Sequence, residues 1–570
     1  MLIDNDYIAA QFSLLAKLMD IHGENSFKTR SYSNAAYTIE KLPTQLTDLA
    51  PEKIIGIKGI GDAIGKKIRD IIDTGELKLL RHYIENTPPG VIGMLGIKGL
   101  GPKKIATIWK EMEIESIGEL LYACQENRLM LFKGFGEKTQ NNVKEAIEFY
   151  FRSQGSHLYA DIETYAMAIQ NKLGENFKDD QIALTGEFNR QLEVIDQLEW
   201  VTTAAPAAIR QFFGSNGFTE ESESAKAEAF TATPAGAAGN ATLIGFKGSE
   251  NIPLLFYCTR PDDFASTLFQ TSCSEAFLEA WKKRGAAAPA LSEKQLFASA
   301  GMAIIPSCLR EDPAILDAAA ANTLPDLIQP GDIRGIIHSH SNWSDGSNTL
   351  EEMARACIAK GYEYLVISDH SKSAFYANGL KEDRIKEQHL LIDELNQKLA
   401  PFTIFKSIES DILNDGALDY SDSILSTFDL VIASVHSNLK MSEEKAMMRL
   451  LNAIRNPFTT ILGHPTGRLL LSRPGYPVDH KKIIDACAEN GTVIELNAHP
   501  RRLDMDWRWI AYAIDKGVLI SIDPDAHSTE GYHHTRYGVL AAQKAGLTAG
   551  GNLSSFTLTQ FKAFLADKKK

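Results

Sequence analysis

The sequence predicts a multidomain chain: an all-α region over residues 1–150, a small α+β region over 151–325, and a distorted C-terminal (β/α)7 barrel over 326–570. Three observations carry that reading. A short unit of the form apolar-Lys-Gly-apolar-Gly recurs three times among amphipathic helical runs in the first 150 residues. The middle holds a few short strand candidates between alanine-rich stretches. In the last part, short apolar strands alternate with amphipathic helices, the rhythm of a parallel βα barrel.

A length of 570 residues suits three or four domains, and 44% hydrophobic residues are enough to give each a core. No run of about 18 apolar residues occurs, so no membrane span is expected. The start "MLIDNDYIAAQFS" lacks the basic opening of a signal peptide. Cys124, Cys258, Cys273, Cys308, Cys357 and Cys487 are scattered, as in reduced thiols and unlike a disulfide framework. A cytoplasmic protein, monomeric and off the membrane, is therefore expected. The net charge of −14 argues against nucleic-acid binding through overall charge. It leaves open local binding of phosphates by backbone groups.

Taken in order, the repeats are "GIKGIG" at 56–61, "GIKGLG" at 96–101 and "LFKGFG" at 131–136, each followed by a lysine-bearing helical segment. Gly59 and Gly61, Gly99 and Gly101, and Gly134 and Gly136 allow a tight turn between two helices. The exposed backbone N–H groups and the next helix N-terminus form a nest for an anion. The alternative is three hairpins packed for structure alone. The pattern resembles the helix-hairpin-helix motif, which implies DNA held by its phosphates without base readout.

The middle region offers "QIALTGEF", "LEVIDQLEWVTTA", "ATLIGFKG" and "IPLLFYC" as strands of a small mixed sheet. Between them lie the alanine-rich "TATPAGAAGNA" and, further on, "RGAAAPALSEK". By itself this region does not reveal a function.

Seven strand candidates follow, and each carries metal-competent residues. The first, "IRGIIHSH", places His338 and His340 on one face if it is extended, with Asp345 in its loop. The next end in Asp369 and His370, carry Glu409, and end in His436 and His464. The last two carry Glu495 and Asn497 and run into Asp525 and His527. In a barrel the carboxyl ends of the strands converge on one face, which would gather these residues into one pocket.

The motifs "HSHSNWSDG", "ISDHS", "IESDI", "ASVHS", "GHPTGR" and "DPDAHS" resemble those of the PHP (polymerase and histidinol phosphatase) family of metal-dependent phosphoesterases. The resemblance implies nine metal ligands: His338, His340, Asp345, His370, Glu409, His436, His464, Asp525 and His527. It implies two or three divalent ions, with Glu409 and Asp525 as bridges, and the mixed ligand set suits Mn²⁺, Zn²⁺ or Fe²⁺. Arg468 in "GHPTGR" is either a catalytic phosphate clamp or a structural salt bridge.

Over nearly its whole length the chain resembles a bacterial family X DNA polymerase with a C-terminal PHP domain. "NSFKTRSYSNAAYTIEKLP" and "LREDPAILDAAAANTLPDLIQPGDIRGIIHSHSNWSDG" are its further signatures. That resemblance implies a nucleotidyltransferase-like palm and thumb in the middle, a helical part that binds gapped or 3′-ended duplex DNA, and a lysine at Lys67 that is either a lyase group or a phosphate contact. The palm departs from the family pattern. Glu187, Asn189 and Gln191 stand where the triphosphate-binding Ser, Arg and Gly belong, and Gln197, Glu199 and Pro253 stand where three metal-binding aspartates belong. Asp196 is adjacent, but a one-residue shift along a strand turns its side chain to the other face. The sequence thus points to a Mn²⁺-dependent 3′–5′ exonuclease or 3′-end-processing enzyme of DNA repair with polymerase activity lost. The alternatives are an active gap-filling polymerase with an exonuclease domain, a small-molecule phosphatase, and a non-catalytic DNA-binding scaffold.

Overall fold

The computed structural model describes residues 3–40, 42, 44–152, 155–221, 241–248, 250–285 and 292–569. They form two compact units, one of residues 1–125 with 129–150 and one of 126–128 with 151–570. The alanine-rich residues 231–240 and 286–291 lie outside the described residues.

The first unit is helical. Asp4 caps the helix Asn5–His22 by accepting the Tyr7 N–H at 2.8 Å. Ile8, Phe12, Leu15 and Met19 recur at helical spacing on its buried face. The three repeats adopt one geometry. Gly59, Gly99 and Gly134 have φ of +96°, +91° and +94°, and the next apolar residue (Ile60, Leu100 or Phe135) is buried. Each turn closes the same way: Ile60 N–H donates to Ile57 O at 2.9 Å, Leu100 to Ile97 at 3.1 Å and Phe135 to Phe132 at 3.1 Å. Gly61, Gly101 and Gly136 then open the helices Asp62–Thr74, Pro102–Lys110 and Glu137–Arg152. A Cβ on Gly61, Gly99, Gly101, Gly134 or Gly136 would meet nothing within 4 Å. Glycine therefore serves conformation and an open backbone here, while Lys58, Lys98 and Lys133 stay exposed. Lys67 lies, partly exposed, on the helix Asp62–Thr74.

In the second unit a five-stranded sheet comes first. Its strands are β1 (Ile182–Thr185), β2 (Leu198–Thr202), β3 (Thr219–Glu220), β4 (Thr242–Lys247) and β5 (Pro253–Cys258), in the order β1-β2-β5-β4-β3. Only β2 and β5 run parallel. Trp200, Phe213, Phe246 and Phe256 form the core beneath the helix Tyr159–Asn176. The stretch "LEVIDQLEWVTTA" is divided rather than one strand, because Val194 and Ile195 pair with Leu158 and His157 before β2 begins.

The barrel strands are β6 (Gly335–Ile336), β7 (Tyr364–Ile367), β8 (Thr403–Asp411), β9 (Leu430–Ser434), β10 (Thr459–Leu462), β11 (Val493–Asn497) and β12 (Ile520–Asp523). All are parallel and ordered as in the chain. Runs such as "YLVI", "LVIAS" and "TTIL" are buried along their whole length, as strands covered on both faces must be. The ring closes beyond the ends of β6 and β12, where Ser339 bridges Ala526 and His340 N–H donates to Ala526 O at 2.8 Å.

Within this unit, ion pairs join the sheet region to the barrel. Arg536 Nη1 lies 2.6 Å from Glu163, Arg501 3.5 Å from Asp161, Arg508 3.6 Å from Glu193 and Lys544 3.7 Å from Glu311. Lys544 also donates to Arg190 O at 2.7 Å, and burial lowers its ammonium to about 8.

The repeats yield a paired expectation. Gly99→Ala should lower local stability by about 1–2 kcal/mol, because a side chain strains the backbone at positive φ. Gly101, at φ −95°, should tolerate alanine with little change. Native-state hydrogen exchange across residues 89–110 reads both, and equal losses would contradict the assignment.

Candidate metal centre

The ligand residues predicted from sequence meet at the carboxyl ends of β6–β12. Glu409, near the end of β8 and 1% exposed, is faced by imidazole nitrogens of His464 and His370 at 3.0 Å, His436 at 3.1 Å, His338 at 3.3 Å and His340 at 3.6 Å. On the other side, His340 Nε2 lies 3.1 Å and His338 Nε2 3.5 Å from Asp525 Oδ1. Asp345 lies 3.5 Å from both His370 and His527. Ligand atoms within 4.8 Å of one another fall into overlapping groups: His340, Asp345, His370 and His527; His338, His340 and Asp525; and His370, Glu409 and His436.

Local backbone explains how these residues arrive. The expected extended run through His340 ends at Ile336, and His338 turns to φ +56°. Strand alternation is therefore not what aligns His338 and His340. The chain must leave the strand to meet Ala526 and close the ring, and the left-handed turn delivers both rings on the way. His464 at φ +20° and Asp525 at φ +50° are also in sparsely populated backbone conformations, which concentrate at functional sites. Gly346 ends the first ligand loop because a Cβ there would lie 2.1 Å from His340 O.

The donor set fits divalent cations. His338 Nε2, His340 Nδ1, Asp345 Oδ2, His370 Nδ1, Glu409 Oε2, His464 Nδ1 and His527 Nε2 are buried without a hydrogen-bond partner. Buried polar atoms are costly unless something pairs with them, and divalent cations held among these groups would supply partners. Burial, with His527 and His370 beside it, lowers His340 to about 3, so its ring offers a lone pair. Burial alone would lower His436, yet Glu409 and Asp411 hold it at about 10. Burial likewise works against ionisation of Glu409, but His436, His338 and His370 hold it well below its ordinary value.

A second layer orients the ligands. Glu495 accepts from His338 Nδ1 and from the His464 N–H at 2.5 Å, so it positions ligands rather than joining them. Asp369 accepts from Ser341 N–H at 2.8 Å, Ser341 Oγ at 2.7 Å, Ser344 Oγ at 2.6 Å and Gln388 Nε2 at 2.6 Å, bracing the loop that carries Asp345. Asn497 donates to Asp525 at 3.0 Å. Asp411 pairs with His436 Nδ1, a role the sequence reading missed. Its spacing of two from Glu409 on one strand was the available signal.

Arg468 is engaged by protein groups. Its guanidinium donates to Arg502 O at 3.0 Å, Asp506 at 2.5 Å and Leu503 O. That is the geometry of the salt-bridge alternative. Arg502, which no local motif marks, places its Nε 3.9 Å from Asp525.

The altered palm positions come together on β2 and β5. Leu198 pairs with Leu254 and Glu199 with Leu255, so Gln197 and Pro253 each sit one position earlier. Glu199 is buried, accepts from Tyr257 Oη at 2.8 Å and packs on Gly186, at φ +65°. Gln197 is buried and Asp196 exposed. Glu187 accepts the Asp196 N–H at 2.9 Å, and Arg190 pairs with Glu311 at 2.7 Å. Burial raises the Glu187 carboxyl to about 7 from its ordinary 4.5. Folding therefore binds a proton there between these two values, and stability from this group falls as pH rises from 4.5 to 7. Glu187→Gln should match the wild type near pH 4.5 and be more stable by about 1–3 kcal/mol at pH 8. Thermal unfolding at both pH values checks this, and equal effects would contradict it.

Comparison with known proteins agrees with this architecture. Residues 3–77 match a helix-hairpin-helix domain, and residues 91–148 match a SAM-like helix-hairpin-helix tandem. The chain is 30% identical to the DNA polymerase/3′-5′ exonuclease PolX of Bacillus subtilis over 574 residues, covering 97% of each. A probable phosphatase of Thermoanaerobacter sp. is 28% identical over 250 residues, 41% of this chain and 94% of the relative. One from Caldanaerobacter subterraneus is 31% identical over 207 residues, 33% of this chain and 74% of the relative. The chain belongs to the bacterial family X DNA polymerases with a C-terminal PHP phosphoesterase domain.

Proposed function

We propose that the protein is a metal-dependent phosphoesterase of DNA repair that trims or cleans DNA 3′ ends, and that it has lost templated nucleotide addition. The observation that carries this is the cluster of His, Asp and Glu side chains at the strand ends, seven of which hold a buried atom without a hydrogen-bond partner. Two or three Mn²⁺, Zn²⁺ or Fe²⁺ ions suit that cluster, and when bound they would supply a water of lowered pKa and neutralise phosphate charge. Around them His340 offers a neutral nitrogen, Glu495 and Asp411 fix the rings of His338 and His436, and Asp369 holds the Asp345 loop. The relative of matching length is itself named a DNA polymerase/3′-5′ exonuclease, and the exonuclease half of that name supports this reading.

Substrate presentation falls to the hairpins. Open backbone at Gly61, Gly99, Gly101, Gly134 and Gly136 suits phosphate contact, which is blind to base sequence and weakens with salt. Gapped or 3′-ended duplex bound by a monomer is the substrate state we favour. A small-molecule phosphatase is the second reading, supported by the phosphatase relatives. The hairpins count against it, because a free metabolite needs no DNA platform.

Loss of polymerase function is supported by the carboxylates. Two-metal phosphoryl transfer needs acids presented to the ions, and preorganised groups of this kind are each worth about 3–4 kcal/mol. Gln197 is neutral, Pro253 has no ligand, and Glu199 is turned into Tyr257 and Gly186.

Purified full-length protein with Mn²⁺ and a 3′-labelled gapped duplex should shorten the labelled strand. His340→Ala should lower that rate by about 100-fold or more. Equal shortening by the variant, or faster turnover of histidinol phosphate than of DNA ends, would overturn the reading. On the same gapped template, no primer extension is expected with Mg²⁺ or Mn²⁺. Extension surviving in Glu199→Ala/Asp196→Ala protein would show another route to addition.

A further inference from the structure

Glu126 belongs, with Asn127 and Arg128, to the compact unit formed by residues 151–570. Its side chain is buried, and a carboxylate oxygen lies with one of Asp525 and a ring nitrogen of His527 inside a mutual span of 4.8 Å. The neighbouring residues anchor it. Asn127, at φ +56°, donates from Nδ2 to Ser347 Oγ at 2.7 Å, and the Arg128 guanidinium lies 4.3 Å from the centre of the Tyr376 ring. Ser347 follows the loop of Asp345, and Tyr376 follows His370, so both anchors flank ligand-bearing segments.

A carboxylate placed this way needs a counter-charge. The Asp525 carboxylate brings a second negative charge into the same buried cluster. Arg128 Nη1 forms an ion pair with Glu126 Oε2 at 3.6 Å, beyond hydrogen-bond distance, which leaves the carboxylate able to accept a further cation. His527 Nε2 is more than nine-tenths buried and has no hydrogen-bond partner. A divalent cation satisfies all three residues at once.

We infer that Glu126 is a tenth metal ligand, holding one ion together with Asp525 and His527. The inference rests on the metal-phosphoesterase reading above and adds a ligand from outside the seven barrel strands.

The test is Mn²⁺ titration of EDTA-stripped, full-length protein, with free Mn²⁺ followed by electron paramagnetic resonance. The wild type should show tight binding. Glu126→Gln should weaken one class of site by about 10- to 100-fold and leave the others unchanged, the size of effect that loss of a ligand-shell contact produces. Glu126→Asp, which keeps the charge but shortens the reach, should weaken the same class by less. In stripped protein Glu126→Gln should melt no lower than the wild type, since the ion pair with Arg128 at 3.6 Å is not hydrogen-bonded and the substitution removes a carboxylate set beside Asp525. A purely structural ion pair with Arg128 would instead lower the melting temperature of stripped protein and leave Mn²⁺ affinity intact. That outcome overturns the inference and spares the phosphoesterase reading, whereas a wild type that binds no Mn²⁺ overturns both.

Discussion

One carboxylate, Glu409, organises the barrel's catalytic end. Five imidazoles from four separate chain segments approach it within 3.0–3.6 Å in the buried interior. Such a cluster is stable only if the total charge is balanced, and divalent cations, if held there, would contribute to that balance. The second layer follows from the same requirement. Glu495, Asp411, Asp369 and Asn497 each fix one ligand or ligand loop, because rings left to rotate would not present lone pairs to a common point. Strain at His338, His464 and Asp525 is tolerated where the surrounding ladder over-determines the backbone.

The sheet region has a different economy. Positions where the family places nucleotide-handling groups are here directed inward: Glu199 to Tyr257, Arg190 to Glu311, Glu187 to the backbone of Asp196. Its acids Asp161, Glu163, Glu193 and Glu311 pair with barrel cations Arg501, Arg536, Arg508 and Lys544. These pairs tie the sheet region to the barrel within one compact unit. The helical unit carries three turns of one geometry, with open backbone at Gly61, Gly99, Gly101, Gly134 and Gly136.

Much of this was legible in the residues. Three copies of one glycine turn can be read directly, because positive φ in a tight turn demands glycine and the spacing is local. The βα rhythm and polar residues at the strand ends pointed to a pocket, because a parallel barrel brings all its strand ends to one face. The nine-ligand set and the palm departures were expectations that came from the family resemblance of the motifs and not from spacing by itself. What tertiary packing decided is of another kind. His338 and His340 reach the site through a left-handed turn and a bridge to Ala526, where the sequence suggested an ordinary strand. Arg468 turned to Asp506 because that acid is close only in the folded chain. Glu126 carries no local pattern that marks it, and its meeting with Asp525 and His527 arises from the approach of residues far apart in the chain. Local conformational preference and repeat spacing are written in short stretches of sequence, whereas which buried charge faces which is set by long-range packing.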